Sequence, residues 1–188
     1  MKAVKCFLCI VFAIVLYRPT RSDAFELKLT REYCNEAIKY GNQHTGADIF
    51  NTTTLKQASF GTYPKAEGGL IMSKYNELAV VSSMLAIRGK TITPEKIKEI
   101  ENALFLKILV IPTQDIQIPG DVNITLRQGT NNILPQQIRF GRKHNKEERK
   151  TVVGLFHCDT LDPDARTTIY VTIKNNRAKY TVDFSDIK

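Results

Sequence analysis

RTTIYVTIKNNRAKYTVDF, Arg166 to Phe184, alternates apolar and polar residues in two successive runs. Thr167, Ile169, Val171 and Ile173 share one parity, and Ala178, Tyr180, Val182 and Phe184 repeat it after a break. Neighbouring side chains in an extended chain point to opposite faces, so each run reads as a strand with one face in a core and one in water. Asn175-Asn176 stands between the runs, and asparagine tolerates positive φ, so the two strands read as a hairpin turning on that pair. Hairpin-length connections imply an antiparallel sheet.

Working upstream, the same period recurs. Phe105 to Ile111 is an apolar run, interrupted at Lys107 and ended by Pro112. In DVNITLRQ, Val122, Ile124 and Leu126 alternate with Asn123, Thr125 and Arg127, and Thr151 to Cys158 reads as a further strand. The second half therefore holds about five strands in series. The first half has helical spacing. Thr30 is placed to cap a helix carrying Tyr33, Ala37, Ile38 and Tyr40, with Gly41-Asn42 as its stop. Residues 42–69 are polar and glycine-containing and read as loop. Ser73 to Arg88, with Leu78, Val81 and Leu85 on one face and Gly89 beyond, reads as a second helix. Thr93-Pro94-Glu95 opens a third, with Ile97, Ile100 and Leu104 marking its buried face. Helices first and strands later give an α+β fold: N-terminal helices packed on a C-terminal antiparallel sheet of about five strands.

The chain opens MKAVKCFLCIVFAIVLYRPTRSDA. Lys2 and Lys5 precede an apolar run of signal-peptide length, too short for a bilayer, and Ser22 and Ala24 fit the small-residue cleavage positions. Residues 1–24 are thus expected to be a signal peptide, and 25–188 a single secreted domain. Removing the leader takes four cations and one acid from a chain of net charge +8, leaving a moderately basic +5. Cys6 and Cys9 leave with it. In an oxidising compartment the remaining Cys34 and Cys158 most simply pair. Asn51-Thr52-Thr53 and Asn123-Ile124-Thr125 are glycosylation sequons, which suits the same compartment.

Residues able to carry chemistry are few. His44, His144 and His157 are the histidines, and no HExxH, GxSxG or glycine-rich phosphate loop accompanies them. A secreted nuclease-like hydrolase using His44 and His157 is the enzymatic alternative. Asp159, Asp162 and Asp164 crowd three carboxylates into six residues, but Asp162-Pro163-Asp164 is ordinary turn chemistry and no calcium loop is completed. No cofactor and no metal is implied.

The densest charge lies in PQQIRFGRKHNKEERK, Pro135 to Lys150, where Arg139, Arg142, Lys143, Lys146, Arg149 and Lys150 face Glu147 and Glu148. Within it IRFGRK, Ile138 to Lys143, resembles the processing site of RFamide neuropeptide precursors. There an Arg-Phe is followed by a glycine that becomes the amide and by basic residues that are cut. The resemblance covers six residues and implies a peptide released by cleavage after Arg142. Those precursors are usually polar, often repetitive and lack a folded core, whereas this chain has one copy flanked by strand patterns. Such a run otherwise reads as a solvated connection between strands or as a contact for sulfated glycan or an acidic protein face. Ile138 and Phe140, two apart, are both placed to face a core. Nucleic acid is not expected, because Phe140 alone is available there to stack on a base.

These residues point to a secreted, glycosylated, non-catalytic protein that binds an extracellular protein or sulfated glycan and has no membrane span. The cysteine expectation is directly testable. Alkylation of the unfolded, unreduced protein should find no thiol, and Cys34→Ala should lower stability by about 2–5 kcal/mol; two reactive thiols would exclude the bridge.

Overall fold

The computed structural model describes residues 29–64, 67–112, 116–118, 120–141 and 151–188. It is an α+β fold: four α-helices and nine strands among those residues, the strands in two antiparallel sheets. The helices are α1 (Arg31–Gln43), α2 (Thr53–Gln57), α3 (Lys74–Ala86) and α4 (Pro94–Glu101). The strands are β1 (Ser59–Gly61), β2 (Gly68–Met72), β3 (Phe105–Ile111), β4 (Val122–Gln128), β5 (Asn131–Ile133), β6 (Gln137–Phe140), β7 (Val152–His157), β8 (Arg166–Ile173) and β9 (Asn176–Asp183).

Each helix is started by a side-chain cap of the kind its sequence offers. Thr30, Thr52, Ser73 and Thr93 accept from Tyr33, Leu55, Asn76 and Lys96 N–H respectively, satisfying donors that the first turn leaves open. Gly89, at φ +64°, follows α3, and the Lys90 N–H turns back to the Leu85 carbonyl at 3.0 Å.

The first sheet runs β1-β2-β3-β7-β6 and the second β5-β4-β8-β9. Strand pairing assigns each face. Ile71, Ile108 and Gly154 are in register, and an added Cβ on Gly154 would lie 3.2 Å from Ile124 Cδ1, so this face of the first sheet meets the second. The opposite parity faces the helices: Lys107 of β3 donates to Glu77 of α3 at 2.5 and 2.6 Å. The order is helices, first sheet, second sheet. One buried cluster joins Ile71, Ile108 and Phe156 to Ile124, Ile169 and Val171, and a smaller one joins Cys34, Ala37, Tyr75, Leu78 and Ile100 among the helices. Because the first sheet is covered on both sides, β2 is buried at all five positions, whereas β4 alternates buried and solvent-facing residues.

Several local expectations change. Residues 42–69 are not loop throughout: they contain a 3-10 turn (Gly46–Asn51), α2, β1 and the start of β2. SFG is too short to show a period, and GGLIM shows no period-two alternation because both its faces are covered. Gly41 does not stop α1; it lies inside it, because a Cβ there would stand 2.1 Å from the Ala79 carbonyl oxygen of α3. Leu104 is 60% exposed and lies beyond the end of α4, so Ile100 alone is fully buried in that helix. The β8–β9 turn is one residue earlier than the asparagine pair. Ile173 pairs with Asn176, leaving Lys174-Asn175 as the loop, and Lys174 takes φ 52°. Phe140, expected in a core, is 41% exposed on the edge strand β6.

Two substitutions test this account. A left-handed lysine costs about 1–2 kcal/mol relative to its preferred backbone, part of which glycine returns as unfolded-state entropy. Lys174→Gly should therefore raise stability by about 0.5 kcal/mol in denaturant unfolding. Gly41→Ala should lower it by about 2 kcal/mol, since the methyl group must push α1 off α3; a neutral result would show that the helices have room to separate.

Candidate functional site

The histidines are divided between the helical and sheet layers. His44 follows α1 as its C-cap; its Nδ1 lies 3.0 Å from the Tyr40 carbonyl oxygen and its ring 4.5 Å from the Tyr40 ring. His157 ends β7. Its ring meets Phe105 edge-on at 5.4 Å, and its Nδ1 accepts from the Asp159 N–H at 3.4 Å, capping a 3-10 turn. The two share no contact partner, and each does local structural work. His144 lies outside the described residues.

His157 also lines an open groove of about 460 Å³ with Asn132, Ile133, Leu134, Gln136 and Thr160. It is the one titratable side chain in that lining. Asp159 Oδ2 stands 3.6 Å from His157 Nδ1, but it is strongly exposed. The adjacent Thr160 hydroxyl donates to the His157 carbonyl at 2.7 Å. The arrangement supplies a histidine whose Nδ1 is taken by a backbone N–H, with the neighbouring hydroxyl turned to backbone rather than to the imidazole. Asp162 and Asp164 behave as turn residues: Asp162 Oδ1 accepts from the Asp164 N–H at 3.0 Å. Among the described residues no group of three or more His, Cys, Asp or Glu side chains is placed to hold a metal ion.

Cys34 and Cys158 are both buried, and no bond joins them in the structure. Both sit against the C-terminal end of α4. Cys34 Sγ donates to Glu101 Oε1 at 3.0 Å, and the Cys158 N–H donates to the Leu104 carbonyl at 2.9 Å. Lys74 bridges the same end, its Nζ donating to the Glu101 carbonyl at 2.6 Å. Burial pushes the Cys158 thiol above its ordinary pKa, partly opposed by the Lys74 charge.

Of the basic stretch, Arg139 is exposed on β6, whereas Arg142, Lys143, Lys146, Arg149 and Lys150 lie outside the described residues. The flanks of that connection are defined. β6 and β7 pair antiparallel from Gln137↔Leu155 to Phe140↔Val152, and the Gly141 N–H donates to the Thr151 carbonyl at 2.7 Å. Both sequon asparagines are exposed: Asn51 ends a 3-10 turn, and Asn123 points outward from β4 although its strand is paired on both sides. Residues 1–24 lie outside the described residues, among which no helix is long and apolar enough to cross a membrane.

Sequence reading missed the groove, because its lining comes from β5, the β5–β6 connection and the end of β7, which no short motif joins. It also missed β1, β2 and β5 as strands, whereas the flank Ile138–Phe140 is indeed a strand, β6. No protein-family model, curated protein or solved structure matches the chain.

If His157 is structural, His157→Ala should lower stability by about 0.5–1.5 kcal/mol through the lost Phe105 contact and leave any hydrolytic activity of the purified protein unchanged. A loss of hydrolysis without a loss of stability would restore the enzymatic alternative.

Proposed function

We propose that the chain is a secreted, non-catalytic binding protein that engages an extracellular protein or an anionic glycan through its basic β6–β7 connection. The observation that carries this reading is the pinned base of that connection. Gly141 and Thr151 are hydrogen-bonded at the mouth of an antiparallel pair, so five cations and two glutamates are tethered beside exposed Arg139 at one edge of the first sheet. A segment with five cations against two carboxylates, tied at both ends, concentrates positive potential and draws in anionic partners. The structural duties of His44 and His157 support binding over hydrolysis. The sequons and the two cysteines at one helix end support an extracellular setting, with Cys34 and Cys158 closing a bridge there.

The test is retention on immobilised heparin. Replacing Arg142, Lys143, Lys146, Arg149 and Lys150 together by Ser should lower the salt needed for elution, with the unfolding midpoint unchanged. Equal retention of this variant would reject the contact. A natural secretion containing an amidated peptide ending at Phe140 would instead establish the cleaved-precursor alternative.

A further inference from the structure

The outward face of the second sheet is built differently from the rest of the surface. On β4, β8 and β9 the buried parity is Val122, Ile124, Leu126, then Thr167, Ile169, Val171, Ile173, then Val182. The other parity faces water, and strand pairing lays it out in rows. Asn123, Thr172 and Arg177 are neighbours; so are Thr125, Tyr170 and Lys179; so are Arg127, Thr168 and Thr181; and Arg166 stands opposite Asp183. Four exposed cations thus share a face with one carboxylate. Among the described residues, none of Arg127, Arg166, Arg177 and Lys179 forms an ion pair. Asp183 Oδ1 is engaged by Ser185, accepting from its hydroxyl at 2.7 Å.

The chemistry of this face selects among anionic partners. Cations on neighbouring strands and at alternate positions are separated by multiples of roughly 5 and 7 Å, which gives an extended plane of charge rather than a pocket. Threonine hydroxyls fill the spaces between them and offer hydrogen bonds to sugar hydroxyls. The face's aromatic side chain, Tyr170, carries the Arg177 guanidinium 4.3 Å over its ring, so that side of the ring is covered against a nucleobase. The exposed large apolar side chains Ile87, Leu104, Leu134 and Phe140 all lie off this face, so it has nothing to insert into a lipid surface. We propose that the outer face of the second sheet binds a sulfated glycan strand, with Arg127, Arg166, Arg177 and Lys179 meeting its anionic groups. This surface uses none of the residues of the β6–β7 connection and stands or falls separately from it.

The experiment compares three full-length proteins, all carrying Asn123→Gln so that a glycan at that position does not cover the face. They are the parent, a face variant with Arg127, Arg166, Arg177 and Lys179 changed to Ser, and the connection variant described above. The probe is heparin, on a column and as size-defined oligosaccharides. The face variant should elute at lower salt than the parent and bind the oligosaccharide about tenfold more weakly or worse, a difference of about 1.4 kcal/mol. Replacing the three arginines by Lys should retain most of the binding, since point charges suffice for a polyanion. Thermal midpoints should match, which separates lost binding from lost fold. If the face variant elutes with the parent while the connection variant elutes early, the face proposal is overturned and the connection reading stands. The reverse pattern upholds the face and removes the connection. Undiminished binding to desulfated heparin, or tighter binding to a single-stranded oligonucleotide than to the sulfated chain, would also overturn the proposal.

Discussion

Burying the first sheet on both faces demands that two layers approach its backbone closely, and glycine supplies the room. Gly154 lets Ile124 of the second sheet settle against β7, an added Cβ there standing 3.2 Å from Ile124 Cδ1. Among the helices Gly41 plays the same part between α1 and α3. In each case a missing methyl group permits contact distances at which dispersion is effective along a whole element. Strands β2, β3 and β7 then find cover on both sides, and their sequences GGLIM, FLKILVI and VVGLFH show no strict alternation. The second sheet, covered on one side only, keeps a strict alternation.

That difference explains how much of the fold was legible beforehand. β4, β8 and β9 announce themselves because one face is wet, and the α+β class follows from them together with three capped helices. β1 and β5 are three residues long, below the length at which a period can be recognised, and they become strands only because a neighbour offers hydrogen bonds. The lysine at φ 52° shows the same override: strand register fixes the turn at Lys174-Asn175 even though the next residue pair has the better turn chemistry. Gly41 reads as a helix stop because sequence alone does not reveal that a carbonyl of another helix sits where its side chain would be.

The candidate sites follow a similar division. A charge run is visible as composition, so the β6–β7 connection is found at once. The outer face of the second sheet holds cations from β4, β8 and β9 that are separated by up to about fifty positions in the chain, and only pairing brings them into one plane. The histidines show the converse. Both are conspicuous as residue types, yet His44 is committed to closing α1 and His157 to starting a 3-10 turn.

The margins of the two sheets have a consequence for how the molecule behaves in a crowd. On one side β1 and β9 come together, with the Phe60 and Tyr180 rings 5.0 Å apart. On the other, the chain passes directly from β5 of the second sheet to β6 of the first through the three residues 134–136, which include Pro135. One seam is closed by a tilted pair of rings and the other by the chain itself, so the sandwich approaches a flattened barrel. The exposed rims that remain are short, or, in β9, carry Arg177 and Lys179. The longest rim among the described residues, β9, is thus the one that carries two cations, which oppose edge-to-edge addition of a second copy.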